Sequence, residues 1–244
     1  VVGSFVNVLV VRLPKKMSII KPGSHCPQCQ AAVRWYDNIP LLSYLILRGR
    51  CRSCSVKISP RYFLIELMTG VLFIACTAKH GFHPLLLVRD WPFMALLVAI
   101  TFIDLEHRLI PDVLSIPGLV LGLFTAPLVG WPVFIDALMG AALGFGLFYG
   151  FAWLYLKMSG RSGLGGGDIK LLAMLGAFSG PHGVMSIILM SSILGSIFGI
   201  FIAVLGKKQN IMKLAIPFGP FLVLAAICVY FLGNQPWLLF MTQM

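Results

Sequence analysis

Charge is scarce in this sequence. Asp, Glu, Lys and Arg make up 11% of its 244 residues, where a soluble domain carries about 25%. That scarcity, with 59% hydrophobic residues, excludes an ordinary water-soluble enzyme and a disordered chain. Acidic residues are scarcer still, eight against nineteen Lys and Arg. The same composition excludes a secreted disulfide scaffold. No solenoid-period repeat and no low-complexity tract occurs. A polytopic membrane protein remains. Its net charge of +11 is read first as topology, and no nucleic-acid partner is expected.

A helix crosses the hydrocarbon core with about 20 mostly apolar residues. Candidate spans are residues 61–78, 85–103, 113–129, 133–156, 169–178, 184–205 and 214–231, the fifth being short. Residues 1–13 are apolar but too short to cross, and read as the end of a truncated first span. The expected fold is all-α, a membrane helical bundle of about eight spans with a small cytoplasmic insert. Its expected divisions are the partial helix 1–13, the insert 14–60 and the transmembrane bundle 61–244.

Ten of the nineteen basic residues fall between Arg12 and Arg61. With that segment in the cytoplasm, alternating spans place seventeen of the nineteen inside and only Lys79 and Arg89 outside. Such a bias is the expected signature of inner-membrane orientation. Gly144-Phe145-Gly146 suits close helix packing in lipid.

The insert carries Cys26-Pro-Gln-Cys29 and Cys51-Arg-Ser-Cys54, two CxxC pairs 21 residues apart. Each can place two thiolates on one knuckle, and two knuckles close a tetrahedral S4 site suited to structural zinc. A redox pair or plain reduced thiols are the alternatives. Structural disulfides are disfavoured on a cytoplasmic face. Cys76 and Cys228 sit singly in apolar spans and read as packing residues. The apolar run 41–47 is too short to cross and suits the membrane interface.

Two aspartates fall at helix ends on the same, cytoplasmic, face. Asp104 follows an apolar run, and Asp168 ends the glycine run 163–167. A carboxylate at bilayer depth costs about 2.5–3.5 kcal/mol on insertion scales, which makes it a functional candidate. Two neighbouring carboxyl groups can share a proton, one activating water while the other donates to a scissile carbonyl. The glycines admit a substrate backbone at close range. The alternatives are an Asp104–Arg108 pair across one helical turn and an Asp168 N-cap. Asp112, after Pro111, reads as a helix start, and Glu106 is a further acidic competitor.

The whole constellation resembles the bacterial type IV prepilin leader peptidases, many of which are bifunctional N-methyltransferases. The resemblance runs through Gly3-Ser4-Phe5-Val6-Asn7-Val8, Arg12-Leu13-Pro14, the two CxxC pairs and Trp35-Tyr36-Asp37-Asn38-Ile39-Pro40. It continues through Ser59-Pro60-Arg61-Tyr62 with Glu66, Ile103-Asp104-Leu105 and Ile110-Pro111-Asp112. It ends with Gly163-Leu164-Gly165-Gly166-Gly167-Asp168-Ile169-Lys170 and Pro217-Phe218-Gly219-Pro220.

The resemblance implies a GxGD intramembrane aspartyl endopeptidase of the bacterial inner membrane. Asp104 and Asp168 match its catalytic pair, Gly165, Gly167 and Lys170 belong to its substrate loop, and Gly166 is the variable GxGD position. The implied substrates are type IV prepilins and pilin-like subunits of type II secretion, cut after a short basic leader. S-Adenosylmethionine is the implied methyl donor. Cys26, Cys29, Cys51 and Cys54 would hold zinc, and Glu66 is a weak candidate for binding the methyl donor. Asp37, Glu66, Glu106 and Asp112 are the carboxylates available to a basic leader. A peptidase without methyl transfer is one alternative. A transporter or assembly scaffold is another, but the acidic residues cluster at one face and no repeated halves are visible.

Overall fold

The computed structural model describes residues 1–160, 165–205 and 217–233. Among these the structure is helical, with two isolated β-bridges in the insert. The helices are α1 (Val2–Arg12), α2 (Leu42–Ile46), α3 (Pro60–His80), α4 (Trp91–His107), α5 (Asp112–Val129), α6 (Trp131–Ser159), α7 (Gly166–Leu205) and α8 (Gly219–Leu232). The chain divides into two compact units, Val1–Ile103 and Asp104–Met244.

In the first unit, α3 starts where Ser59 accepts the Arg61 N–H and Pro60 occupies the first turn, a place where its missing donor is harmless. It ends at Gly81, with φ +71°. Its 21 residues span about 32 Å, enough for a hydrocarbon core. The exposed face carries large apolar residues such as Ile74, which water would penalise and lipid would not. α1 packs along α3, and Asn7 donates to the Tyr62 carbonyl at 3.0 Å. At the far end of α1, the buried Arg12 guanidinium donates to the carbonyls of Ser18, Pro22 and Gly23. One arginine thus folds the start of the insert back onto its helix.

In the second unit, α7 packs against α5, α6 and α8. Its approach to α6 is backbone on backbone. A Cβ on Gly140 would stand 2.3 Å from the Gly176 carbonyl oxygen, and one on Gly144 would stand 2.6 Å from that of Leu172. Gly144 is therefore a packing glycine, as expected. Gly146 faces open space and plays no such part.

The sequence reading separates 169–178 from 184–205. The structure joins them at one residue, Gly180, whose φ of +69° and ψ of −179° break the helix. Pro181 then begins the second segment. A glycine that ends a helix next to a proline that begins one needs no loop. The described residues hold five helices long and apolar enough to cross a membrane, α7 counted as one, with α1 and α8 shorter. The expected span 214–231 corresponds to α8, and residues 214–216 lie outside the described part. So do Gly163, Leu164 and the loop cations Arg161, Lys207, Lys208 and Lys213.

Candidate active site and metal centre

Asp104, Ile110, Gly167 and Gly219 come together in the second unit. Asp104 lies inside α4, one turn before its end, rather than just beyond it. Its backbone carbonyl accepts the Arg108 N–H at 2.8 Å. Arg108 has a φ of +50°, which turns the chain sharply out of the helix. The carboxylate takes a different partner: its Oδ2 accepts the Gly219 N–H at 3.0 Å, a buried bond. Gly219 is the first residue of α8. Asp104, only 6% exposed, therefore sits at a helix N-terminus, where unpaired N–H groups favour an acceptor.

Ile110 links this carboxylate to the GxGD run. A Cβ on Gly219 would lie 2.5 Å from Asp104 Oδ2 and 3.2 Å from Ile110 Cδ1. A Cβ on Gly167 would lie 2.8 Å from Ile110 Cβ. Gly167 is therefore required by packing, while Gly166, the variable position, meets nothing within 4 Å.

Asp168 is the third residue of α7, which starts at Gly166. Its N–H donates to the Gly165 carbonyl at 3.1 Å, and its carboxylate lies against the Gly165 N–H and feels the charge of Asp104. This is the geometry of the third residue in a capping box, three positions inside the N-cap at Gly165, so Asp168 is not the N-cap of its helix. Asp112 starts α5 as expected, and its carboxylate accepts from Lys170 Nζ at 2.6 Å. That ion pair and the Gly167–Ile110 contact dock the start of α7 on the start of α5. Glu106 lies 3.9 Å from His107 Nε2.

The arrangement offers two carboxylates of unequal surroundings near one another. Asp104 is buried and holds one backbone N–H; Asp168 is half-buried beside a glycine run. Such a pair can divide the roles of base and acid about a peptide bond. Gly219 is the site residue that sequence reasoning left without a role. Its signal was the Pro-Phe-Gly-Pro run at 217–220, which places a helix start there.

In the first unit the four cysteines meet. Their sulfurs all lie within 4.8 Å of one another, with Cys26 to Cys54 at 3.8 Å and Cys29 to Cys51 at 4.0 Å. Zinc–sulfur bonds of about 2.3 Å in a tetrahedron require sulfurs about 3.8 Å apart, so the four residues fit that metal. The two knuckles match residue for residue. Cys26 N–H donates to Ala31 O and Gln30 N–H to Cys26 O; Cys51 N–H donates to Val56 O and Ser55 N–H to Cys51 O. Gln30 and Ser55 both have φ +58°. His25 bridges Ala32 as Arg50 bridges Lys57.

Backbone N–H groups of Cys29 and Gln28 bring the Cys26 thiol down to about 6. Those of Cys54 and Ser53 lower Cys51 in the same way. Cys54 also receives a backbone bond, from Val56, but burial and the three neighbouring sulfurs outweigh it and push its thiol up to about 12. Four thiolates at this spacing need a cation between them, and binding one must expel the Cys54 proton.

Asp37 is held below the usual carboxylate range by Arg52, which grips it through two bonds of 2.6 and 2.8 Å. This ties the turn Trp35–Asn38 to the second knuckle. Glu66 on α3 accepts the Ser4 hydroxyl at 2.6 Å and the Leu41 N–H at 2.9 Å. Both its oxygens are engaged, fastening the insert and α1 to α3. Leu41 itself has φ +64°.

The bacterial peptidase A24 N-terminal domain model matches residues 1–80, and the type IV leader peptidase family model matches residues 91–200. A Myxococcus xanthus protein named prepilin leader peptidase/N-methyltransferase is 45% identical over 199 residues, 82% of this chain and 59% of that relative's length. Relatives of the same name from Pseudomonas putida and Pseudomonas aeruginosa are 35% and 37% identical, over 96% of this chain and 88% of each relative. No solved structure matches. Two family models end to end and relatives covered over most of their length give one conclusion: this chain belongs to the type IV leader peptidase family.

Proposed function

We propose that this chain is a multi-pass inner-membrane enzyme that trims the leader from type IV prepilins and pilin-like secretion subunits. It then methylates the new N-terminal amine with S-adenosylmethionine. The observation that carries the cleavage reading is the buried Asp104 at the start of α8, in one helix-end cluster with Asp168. One carboxylate takes a proton from water as it attacks the scissile carbonyl. The other gives a proton to the departing amine. Gly165 and Gly167 leave room for the peptide backbone, and Lys170, held by Asp112, fixes the loop's helix.

Cleavage is assigned to the transmembrane part, residues 61–244, and methyl transfer to the insert, residues 14–60, braced by zinc on its four cysteines. The excess of Lys and Arg around the insert supports a cytoplasmic location for it and for both aspartates. Incubation of the purified chain with a prepilin and labelled methyl donor tests both reactions at once. Leader release and label on the trimmed pilin are expected. A prepilin left whole would overturn the reading, and trimming without label would leave the peptidase alone.

Gly219→Ala separates the two activities. The added methyl group would stand 2.5 Å from Asp104 Oδ2, so the carboxylate must leave its N–H donor. Misplacing a reacting group by about 1 Å costs about a hundredfold. Cleavage should fall by that order, in kcat/KM, while methylation of pilin already trimmed stays at the wild-type rate.

A further inference from the structure

The ion pair between Asp112 and Lys170 closes at 2.6 Å, yet it stands in the open, the two side chains being 53% and 39% exposed. Only Oδ2 of the carboxylate is engaged; Oδ1 has no hydrogen-bond partner among the described residues. An exposed ion pair contributes little, because water solvates each partner well when they separate. Lys170 can therefore leave Asp112 at small cost. The other carboxylates are held differently. Asp37 is gripped through two bonds by Arg52, both oxygens of Glu66 are taken, and Asp104 is buried on the Gly219 N–H. Glu106 has His107 beside it on its own turn.

Asp112 also stands close to the reacting groups. Two residues before it, Ile110 fills the space beside Gly167 and beside Gly219. Gly167 adjoins Asp168, and the Gly219 N–H holds Asp104. Lys170 lies two residues beyond Asp168. Two residues span at most about 7 Å, so each partner of the exposed pair is that near to a residue of the aspartate cluster.

We propose that Asp112 reads a cationic side chain in the leader of the substrate, and that Lys170 occupies its place until the leader arrives. The inference rests on the assignment of cleavage to Asp104 and Asp168. A substrate anchored by an apolar helix keeps its short leader in the cytoplasm through Lys or Arg beside the span. Such cations stand next to the start of that helix, the stretch that must reach the aspartates. Lys170 itself shows the fit, since a primary ammonium on a four-carbon stem already docks on Oδ2. A leader lysine would replace it like for like, and a leader arginine could take both oxygens. The exchange leaves the Gly167–Ile110 contact in place, so the start of α7 stays docked on the start of α5.

The test uses the full chain in detergent, where membrane orientation plays no part, and purified prepilins whose leader cations are kept or replaced by Gln. Wild type should prefer the cationic leader by about threefold to fivefold in kcat/KM, through KM rather than kcat. Asp112→Asn should bring that ratio to about one. Lys170→Met removes the resident cation and should raise the ratio about threefold above that of wild type. Salt of about 1 M, which screens charges beyond about 3 Å, should shrink the wild-type ratio toward one. An ion pair that only docks α7 on α5 gives a different pattern: both variants slow every substrate alike, and the ratios stay as in wild type. That pattern, or a ratio that falls to one in Lys170→Met as well, would overturn the proposal. The ratios are taken within one variant, so a smaller folded fraction does not alter them. Asp168→Asn is run beside them: if it cuts both prepilins, the assignment of the aspartates fails, a result separate from any change in ratio.

Discussion

Asp104→Asn and Asp168→Asn should each lower leader cleavage by about a thousandfold or more, with the protein still inserted and able to methylate trimmed pilin. Asparagine keeps the size of aspartate, and its amide oxygen can still accept the Gly219 N–H that Asp104 accepts at 3.0 Å. The helix-end cluster therefore survives. What disappears is a group that takes up and gives back a proton, a contribution of about 10² to 10⁴ in rate. The proposed pair acts as one unit, so the double variant should be no slower than either single one. The measurement is cleavage of purified prepilin in membranes. Full cleavage by both single variants would remove the pair from the mechanism, and losses that multiply in the double variant would show two independent roles.

The second large effect is on metal. Wild-type protein purified without chelator should carry about one zinc per chain, and Cys26→Ser should lose it together with the order of the insert. Cys26 is the buried member of the four, and backbone N–H groups bring its thiol down to about 6, so serine removes a ligand poised to bind. Acid should release the metal, since protons compete for the sulfurs, and Cys54 regains its proton as soon as the ion leaves. Binding should tighten as pH rises. Methylation should fall with metal loss more than cleavage does. Metal analysis that finds no zinc, with activity indifferent to chelator, would leave the knuckles as bare thiols.

Helix starts and stops were the most legible features of the fold. Asp112 after Pro111 and Pro60 after Ser59 carry their signals locally. The cysteine cluster was equally plain, because the residue types and spacing are themselves the chemistry. The Gly180 break was only partly legible. The short apolar run 169–178 showed that something interrupts the helix there, but one glycine with a positive φ replaces the loop that a change of span would suggest. The partners of the acidic residues were not legible at all. Asp104 binds a backbone donor 115 positions away, and Asp112 binds Lys170, 58 positions away. Local charge patterns would have paired Asp104 with Arg108. Asp37 and Glu66, expected as free carboxylates, are consumed by Arg52 and by Ser4 with Leu41.

The bare contact between Gly140 of α6 and Gly176 of α7 leaves no side chain there to absorb a displacement. Asp168 lies eight residues before Gly176, about 12 Å along the same rod. A disturbance deep in α6 would therefore be transmitted to the GxGD turn, and the placing of Asp168 depends in part on two residues that have no functional groups.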